Sequence, residues 1–353
     1  MPYQENKEFQ NIFRKIEASL ENDLPFAVYR KPKQKQVTAV FQGNDVLHKT
    51  MDFEGKGFVF APFDLKENAI LIQPDEVLSA TFQIGVKTES TTVEFSASGK
   101  EAHINLVKKG ISEIEKGHLK KVVLSRKLEV DASSSPVEIF QNLLNNYPNA
   151  FCYIFHHPKI GTWCGATPET LVEIKDRQLK TMSLAATLPF NGDEKPQWGT
   201  KEIEEQRMVS DYIQERLGPA MEELHIGEAE SIRAGNLWHL RSEVTGTLSS
   251  GNGIKKVITA LHPTPAVCGI PTQAAKSFIL ENENYQRRFY TGFLGELNLN
   301  EVGEASLFVN LRCMELQHSK ATLFVGGGIT SASQPESEWV ETQNKSKTML
   351  NIL

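Results

Sequence analysis

The apolar positions of this chain follow one rhythm up to about residue 95 and another beyond it. In the first stretch, short β-prone runs such as GFVFAPF (57–63) and AILIQ (69–73) are broken by Pro, Gly, Asn and Asp. From residue 100 the elements lengthen. Ile104, Val107, Ile111 and Ile114 recur at helical spacing, and KVVLSRKLEV (121–130) then reads as a strand. Strict alternation in that strand would send Lys121, Val123 and Ser125 to one side and Val122, Leu124 and Arg126 to the other. Ser135-Pro136-Val137-Glu138 is a capping box with proline at the first helical position, which predicts a helix through LLNN (143–146).

Further along, FCYIF (151–155), GTWCGA (161–166) and a hairpin at 170–184 predict strands close in sequence, which favours antiparallel pairing. A polar helix over about 200–217, a strand over 236–248 and a helix through VITALH (257–262) follow. Three more strand candidates close the chain: FYTGFLGEL (289–297), EASLFVNLRCMEL (304–316) and KATLFVGG (320–327). Groups of adjacent strands with helices between the groups indicate an α+β fold rather than a parallel βαβ array.

Composition narrows the class. The 353 residues carry 40% hydrophobic and 23% charged content with a net charge of −6, enough apolar material for a full core. Without a basic tract there is no electrostatic footprint for nucleic acid. The N-terminus is polar and no segment has the apolar length to span a bilayer, so a cytoplasmic protein without membrane contact is expected. Cys152, Cys164, Cys268 and Cys313 are scattered, which argues against a disulfide framework or a thiolate metal cluster.

Several groups could carry chemistry. Gly326, Gly327 and Gly328 end an apolar run and read as a turn whose amides could meet an anion. Glutamates follow at 336, 338 and 341, with Ser333 and Glu336 spaced as a capping box. An earlier acidic cluster, Glu202, Glu204 and Glu205, opens the helix near Thr200. Glu202 with Glu205, and Glu338 with Glu341, are i,i+3 pairs that could hold Mg²⁺. Spacing alone favours the plainer reading, solvated acids at helix N-termini. Lys121 at a strand start is a surface residue unless it faces a closed pocket, where it could act as a base. Glu169, behind a proline turn, is a candidate general acid or an ordinary turn residue. His239 and Arg312 sit within apolar strand candidates and need partners if buried; Arg312 would suit a substrate carboxylate or a structural salt bridge equally. The segment LHPTPAVCGIPTQAA (261–275) is a rigid loop that could wall a pocket.

Taken together, KVVLSR (121–126), GATPE (165–169), KEIEEQRMV (201–209), LWHL (237–240), HPTPAVCGIP (262–271), RRFYTGFLG (287–295), LRC (311–313) and GGGI…SEWVETQNK (326–345) resemble the chorismate-utilising enzymes. That family includes isochorismate synthase, anthranilate synthase component I, aminodeoxychorismate synthase and salicylate synthase. The resemblance covers roughly residues 100–353. It implies two large, mostly antiparallel sheets packed as a sandwich with helices outside. Residues 1–98 would be the variable N-terminal part of that fold, and 99–353 the chorismate-binding catalytic region.

The same resemblance implies roles. Glu205 and Glu341 would ligate Mg²⁺, with Glu202 and Glu338 in support. Arg312, Lys345 and the backbone at Gly326–Gly328 would hold chorismate, with Ala186, His239, Ala266 and Tyr290 also lining its site. Lys121 stands where the water-using members carry an activating lysine, whereas anthranilate synthases generally have Gln there. Ala185 stands where aminodeoxychorismate synthases place a nucleophilic lysine, and HPTPA, with Ala266, is similar to isochorismate synthases where salicylate synthases tend to have threonine. The implied activity is isochorismate synthase, with Lys121 as base and Glu169 as acid, in menaquinone or siderophore biosynthesis. Salicylate synthase and a silent chorismate-binding homologue are the alternatives. No glutaminase subunit is implied, and a monomer is expected. One departure stands out: the family usually has LAGT where this chain reads LAAT, so Ala186 replaces a glycine.

Overall fold

A computed structural model describes residues 7–85, 98–190, 192, 196–234 and 237–353. Its elements, in order, are α1 (Lys7–Glu21), β1 (Phe26–Arg30), β2 (Gln36–Phe41), β3 (His48–Thr50), β4 (Gly57–Ala61), β5 (Ala69–Ile72) and β6 (Glu76–Thr81). Next come α2 (Lys100–Glu115), β7 (Lys121–Asp131), α3 (Pro136–Asn146), β8 (Phe151–His157), β9 (Gly161–Thr167), β10 (Thr170–Lys175) and β11 (Gln178–Pro189). Then follow α4 (Thr200–Leu217), β12 (Met221–Ile226), β13 (Glu230–Ala234), β14 (Leu237–Leu248), α5 (Ile254–Leu261), β15 (Gly269–Ile270) and α6 (Thr272–Asn282). The chain closes with β16 (Phe293–Leu297), β17 (Ala305–Val309), β18 (Cys313–Gln317), β19 (Lys320–Ile329) and α7 (Pro335–Leu350).

The strands form two antiparallel sheets. One runs β15-β7-β19-β18-β9-β8-β1-β2-β6; the other runs β12-β14-β11-β10-β17-β16-β4-β5-β3, with β13 also on β14. Alternation decides which side chains meet between them. On β8, Phe151, Tyr153 and Phe155 point inward to face Phe60 and Phe308 of the opposite sheet, while Cys152 and Ile154 point outward. Phe151 stacks on Phe308 at 4.1 Å and Phe155 meets Phe60 at 4.4 Å, so an aromatic layer joins the sheets. Helices α1 and α3 cover the outer face of the first sheet; α4 and α5 cover that of the second. The fold is α+β, with a sandwich core and helices outside.

Local signals explain many boundaries. The Ser135 capping box forms: the Glu138 amide donates to Ser135 Oγ at 3.2 Å and the Ser135 amide to Glu138 Oε2 at 2.8 Å. Asp176 and Arg177, with φ of 49° and 63°, make the two-residue hairpin turn between β10 and β11.

Four expectations fail. The run 304–316 is two strands: the chain leaves the second sheet after Val309 and joins the first at Cys313, passing through Arg312 at φ 47°. Arg312 therefore lies in a crossover, not within a strand. The run 289–297 becomes a strand only at Phe293. Ser333 and Glu336 make no capping box. The α7 N-cap is Gln334, Ser333 Oγ accepts from the Thr330 amide, and Glu336 pairs with Lys100. Finally, Gly326–Gly328 are inside β19 and form no turn. The residue at 236, where the strand at 236–248 was to begin, lies outside the described residues.

Candidate active site

The two faces of β7 divide as the alternation requires. Val122 and Leu124 pack against Gly110 of α2, and the Arg126 guanidinium lies 4.0 Å from the Trp339 ring of α7. On the other face, Val123 borders a cavity, Ser125 Oγ donates to Glu283, and Lys121 is fully buried. Lys121 Nζ lies 2.8 Å from Glu205 Oε1 on α4. Lys121 does not line the cavity itself. Its Nζ touches Glu205 and its Cε would lie 3.0 Å from a Cβ on Gly328, and both of those residues line the cavity.

The three glycines explain how so many polar groups converge. Pairing of β18 with β19 ends at Cys313–Phe324, because the chain turns away at Arg312. Beyond Phe324, among the described residues, β19 is paired only with β7, through Gly326–Ser125, Gly327–Leu124 and Gly328–Val123. The Ser125 amide goes to Glu283 and the Val123 amide to the Cys268 carbonyl, both away from β19. In an antiparallel ladder their partners Gly326 and Gly328 then turn their own N–H and C=O groups away from β7, toward the open edge. The Gly326 carbonyl accepts there from Lys345 Nζ at 3.0 Å. The Gly326 and Gly328 amides thus lie on a strand edge and not in a turn.

Side chains would obstruct this edge. A Cβ on Gly328 would lie 2.7 Å from Glu205 Oε1 and 3.0 Å from Lys121 Cε. On Gly327 it would lie 3.3 Å from both Glu338 Oε2 and Glu341 Oε1. Successive strand residues face opposite ways, so the carboxylates of α4 and α7 approach one glycine strand from its two faces.

Glu169 projects from the β9–β10 turn into the same cavity and is buried. Burial raises its pKa to about 8, although Lys121 and Lys345 pull in the opposite direction. It is therefore held mostly as a neutral acid at neutral pH. His239 on β14 is also buried; desolvation, with Arg312 and Lys345 nearby, lowers its pKa to about 3, so the ring is neutral. Its Nδ1 lies 2.9 Å from the Ala186 carbonyl, which assigns the proton to Nδ1 and leaves Nε2 as an acceptor. Ala186 has φ 59°, where the β11–β14 register shifts between Ala185 and Leu188. This left-handed backbone is natural for glycine and costs an alanine about 1 kcal/mol.

Lys345 Nζ pairs with Glu341 Oε1 at 2.6 Å. Arg312 lines the cavity, donates to Thr348 Oγ1 at 3.1 Å and, among the described residues, makes no ion pair. The cavity, of about 100 Å³, is lined by all nine residues expected at the substrate, from Ala186 to Lys345, together with Glu169, Glu202, Glu205 and Glu341. Glu338 is buried beside Gly327 but does not reach the lining. Sequence reading missed Thr187, Val267, Thr291 and Leu311, which also line it. All four fall within strings that carried the resemblance, Thr187 in LAAT, Val267 in the proline loop, Thr291 in RRFYTGFLG and Leu311 in LRC, but none was singled out from its string.

The donor set suits a hard cation. Glu202, Glu205, Glu338 and Glu341 outnumber Lys121, Lys345 and Arg312, so an anionic substrate would enter a region already rich in carboxylate oxygen. Among the described residues no three of these carboxylates bring ligand atoms within 4.8 Å of one another, but Mg²⁺ needs only one or two. The group that does converge, Asp176, Glu301 and Glu304, lies on two hairpin turns outside the cavity.

Comparisons with known proteins agree with this geometry. Residues 67–353 match the sequence profile of the family described as chorismate binding enzyme. Isochorismate synthase DhbC of Bacillus subtilis is 30% identical over 318 residues, covering 83% of this chain and 79% of the relative. The crystal structure of a protein described as a 2,3-dihydroxybenzoate-specific isochorismate synthase, DhbC from Bacillus anthracis, superposes with a TM-score of 0.82. It is 27% identical and covers 96% of this chain and 99% of its own. Anthranilate synthase component I from Streptococcus pneumoniae shares the fold at a TM-score of 0.68 and 18% identity, covering 92% of this chain and 89% of its own. The chain belongs to the chorismate-binding enzymes.

Proposed function

We propose that this chain is an isochorismate synthase that adds water at C2 of chorismate and expels the C4 hydroxyl, with Mg²⁺ as its cofactor. The observation that carries the proposal is the pairing of a buried lysine with a neutral buried acid. Lys121 is buried against Glu205 and Gly328 of the lining, while Glu169 is held protonated in the lining itself. Addition of water with loss of hydroxide needs one group that takes a proton and another that gives one. The relatives named isochorismate synthases support the same reading.

Lys121 takes a proton from the attacking water, and Glu169 gives its proton to the departing C4 oxygen, which leaves as water. One water enters and one leaves, so the net change is an isomerisation. Both groups are reset when the proton on Lys121 and the vacancy on Glu169 exchange with solvent. His239 offers the Nε2 acceptor to a ring hydroxyl, and Arg312 with Lys345 places positive charge for the carboxylates. Glu205 and Glu341 would hold Mg²⁺, with Glu202 and Glu338 in support. When bound, the cation supplies charge that lets a dianionic substrate enter beside four glutamates. Lys121, where the ammonia-using members generally have Gln, supports water as the nucleophile, and Ala185 offers no amine to compete with it. Product identification after incubation with chorismate and Mg²⁺ tests the assignment.

A further inference from the structure

Behind the cavity wall lies a charged pair that the reaction does not use. Glu283, at the end of α6, and Arg287, in the loop after it, have side chains only 1% exposed. Arg287 grips Glu283 with two donors, Nε to Oε2 at 2.8 Å and Nη2 to Oε1 at 2.6 Å. Its remaining hydrogen bonds go to three separate segments. Nη2 donates to the Val123 carbonyl at 2.7 Å, and Nη1 donates to the Val267 carbonyl at 3.0 Å and to Thr291 Oγ1 at 3.3 Å. Glu283 Oε1 in turn accepts from the Ser125 amide at 2.8 Å and from its hydroxyl at 2.7 Å.

Val123, Val267 and Thr291 all line the cavity. Val123 and Ser125 share their strand face with Lys121, and Val267 follows Ala266 in the proline loop. One guanidinium and one carboxylate therefore tie the strand of the base to two other walls of the site. Burying two charges is a poor way to add stability, because desolvation consumes most of their attraction. It is an effective way to fix geometry, since a planar guanidinium presents its donors in a rigid fork.

We propose that Glu283 and Arg287 are positioning residues that set the width of the site by bracing β7, Val267 and Thr291 against one another, beside the backbone ladder in which β15 already pairs with β7. The proposal rests on the chorismate reading for its kinetic consequence but not for its structural one. Arg287→Lys is the discriminating variant. An ammonium can keep the pair with Glu283, but it cannot also reach the Val123 and Val267 carbonyls in one fixed arrangement. The test pairs steady-state kinetics on chorismate with amide hydrogen exchange on the whole chain. The expected result is faster exchange confined to segments 121–127 and 264–268, circular dichroism like the wild type, and a KM raised about tenfold with a smaller change in kcat. Arg287→Met extends the same local loss, and Glu283→Gln reproduces it by weakening the grip on Ser125. Unchanged exchange in those two segments, or a uniform rise over the whole fold with KM unaltered in the folded fraction, would overturn the proposal. If the wild type fails to convert chorismate, the functional assignment fails while the exchange pattern still decides the positioning role.

Discussion

Lys121 Nζ and Glu205 Oε1 lie 2.8 Å apart, but only the lysine is sealed in: its side chain is 1% exposed, against 13% for the glutamate at the cavity rim. Removing one partner of a buried pair strands the other, and the cost depends on whether the survivor can find water. Glu205→Met should therefore destabilise the fold strongly, by about 3–5 kcal/mol. Lys121→Met keeps the aliphatic stem and leaves a carboxylate that the cavity can hydrate, so it should cost much less. Urea unfolding of the two variants measures the difference; equal losses would mean that Lys121 also reaches solvent. Turnover of Lys121→Met should fall by about a hundredfold or more, the scale of a lost general base.

Glu169 supplies a pH signature. Its pKa in the fold, about 8, lies above the ordinary carboxylate value, so the folded state binds a proton that the unfolded chain has already released. Its contribution to stability is complete below the ordinary carboxylate range and declines as pH rises toward 8, with a slope of at most about 1.4 kcal/mol per pH unit. Glu169→Gln should flatten that part of the profile and abolish turnover. In the wild type, kcat should fall as pH rises through about 8, where the acid is lost. Thermal melts and rates between pH 5 and 9 check both limbs.

Ala186 should tolerate the residue it replaces. With φ 59°, Ala186→Gly relieves left-handed strain of about 1 kcal/mol, partly offset by the greater freedom of glycine in the unfolded chain. The expected outcome is a melting temperature equal to or slightly above the wild type, with kcat/KM retained or raised. A clear drop in melting temperature would show that the alanine methyl contributes packing in the wall.

Metal dependence should track α7. Glu341→Gln keeps the size of the side chain and its reach to Lys345 but removes a carboxylate from the lining. Calorimetry should show Mg²⁺ binding weakened about tenfold or more, and chelation of the wild type should abolish turnover reversibly. Unaltered Mg²⁺ affinity in this variant would move the cation away from Glu341.

Much of this site could be read from the chain because its residues sit on regular elements. The alternation of β7 placed Lys121 and Val123 on one face correctly, and the polar helix carrying Glu202 and Glu205 has the expected limits. The misreadings came where a long-range event overrides a local pattern. The run 304–316 has the periodicity of one strand, yet it changes sheets at Arg312, because each half finds a different neighbour. The glycines look like a turn to any local rule. Only the departure of β18 shows that they form an open strand edge with carboxylates on both faces. Spacing could not reveal the burial of Lys121 or the Glu283–Arg287 brace, since both depend on partners 84 or more residues away in the case of Lys121 and on β7 in the case of the brace.

The central claim is a reaction, so its most direct test is the product. The purified chain is incubated with chorismate and Mg²⁺, and the mixture is separated by chromatography with and without chelator. Isochorismate alone is expected, formed only with the metal and lost in Lys121→Met and Glu169→Gln. Salicylate with pyruvate would reassign the chain to salicylate synthesis, and chorismate recovered unchanged from a protein that still binds it would contradict the assignment as an enzyme.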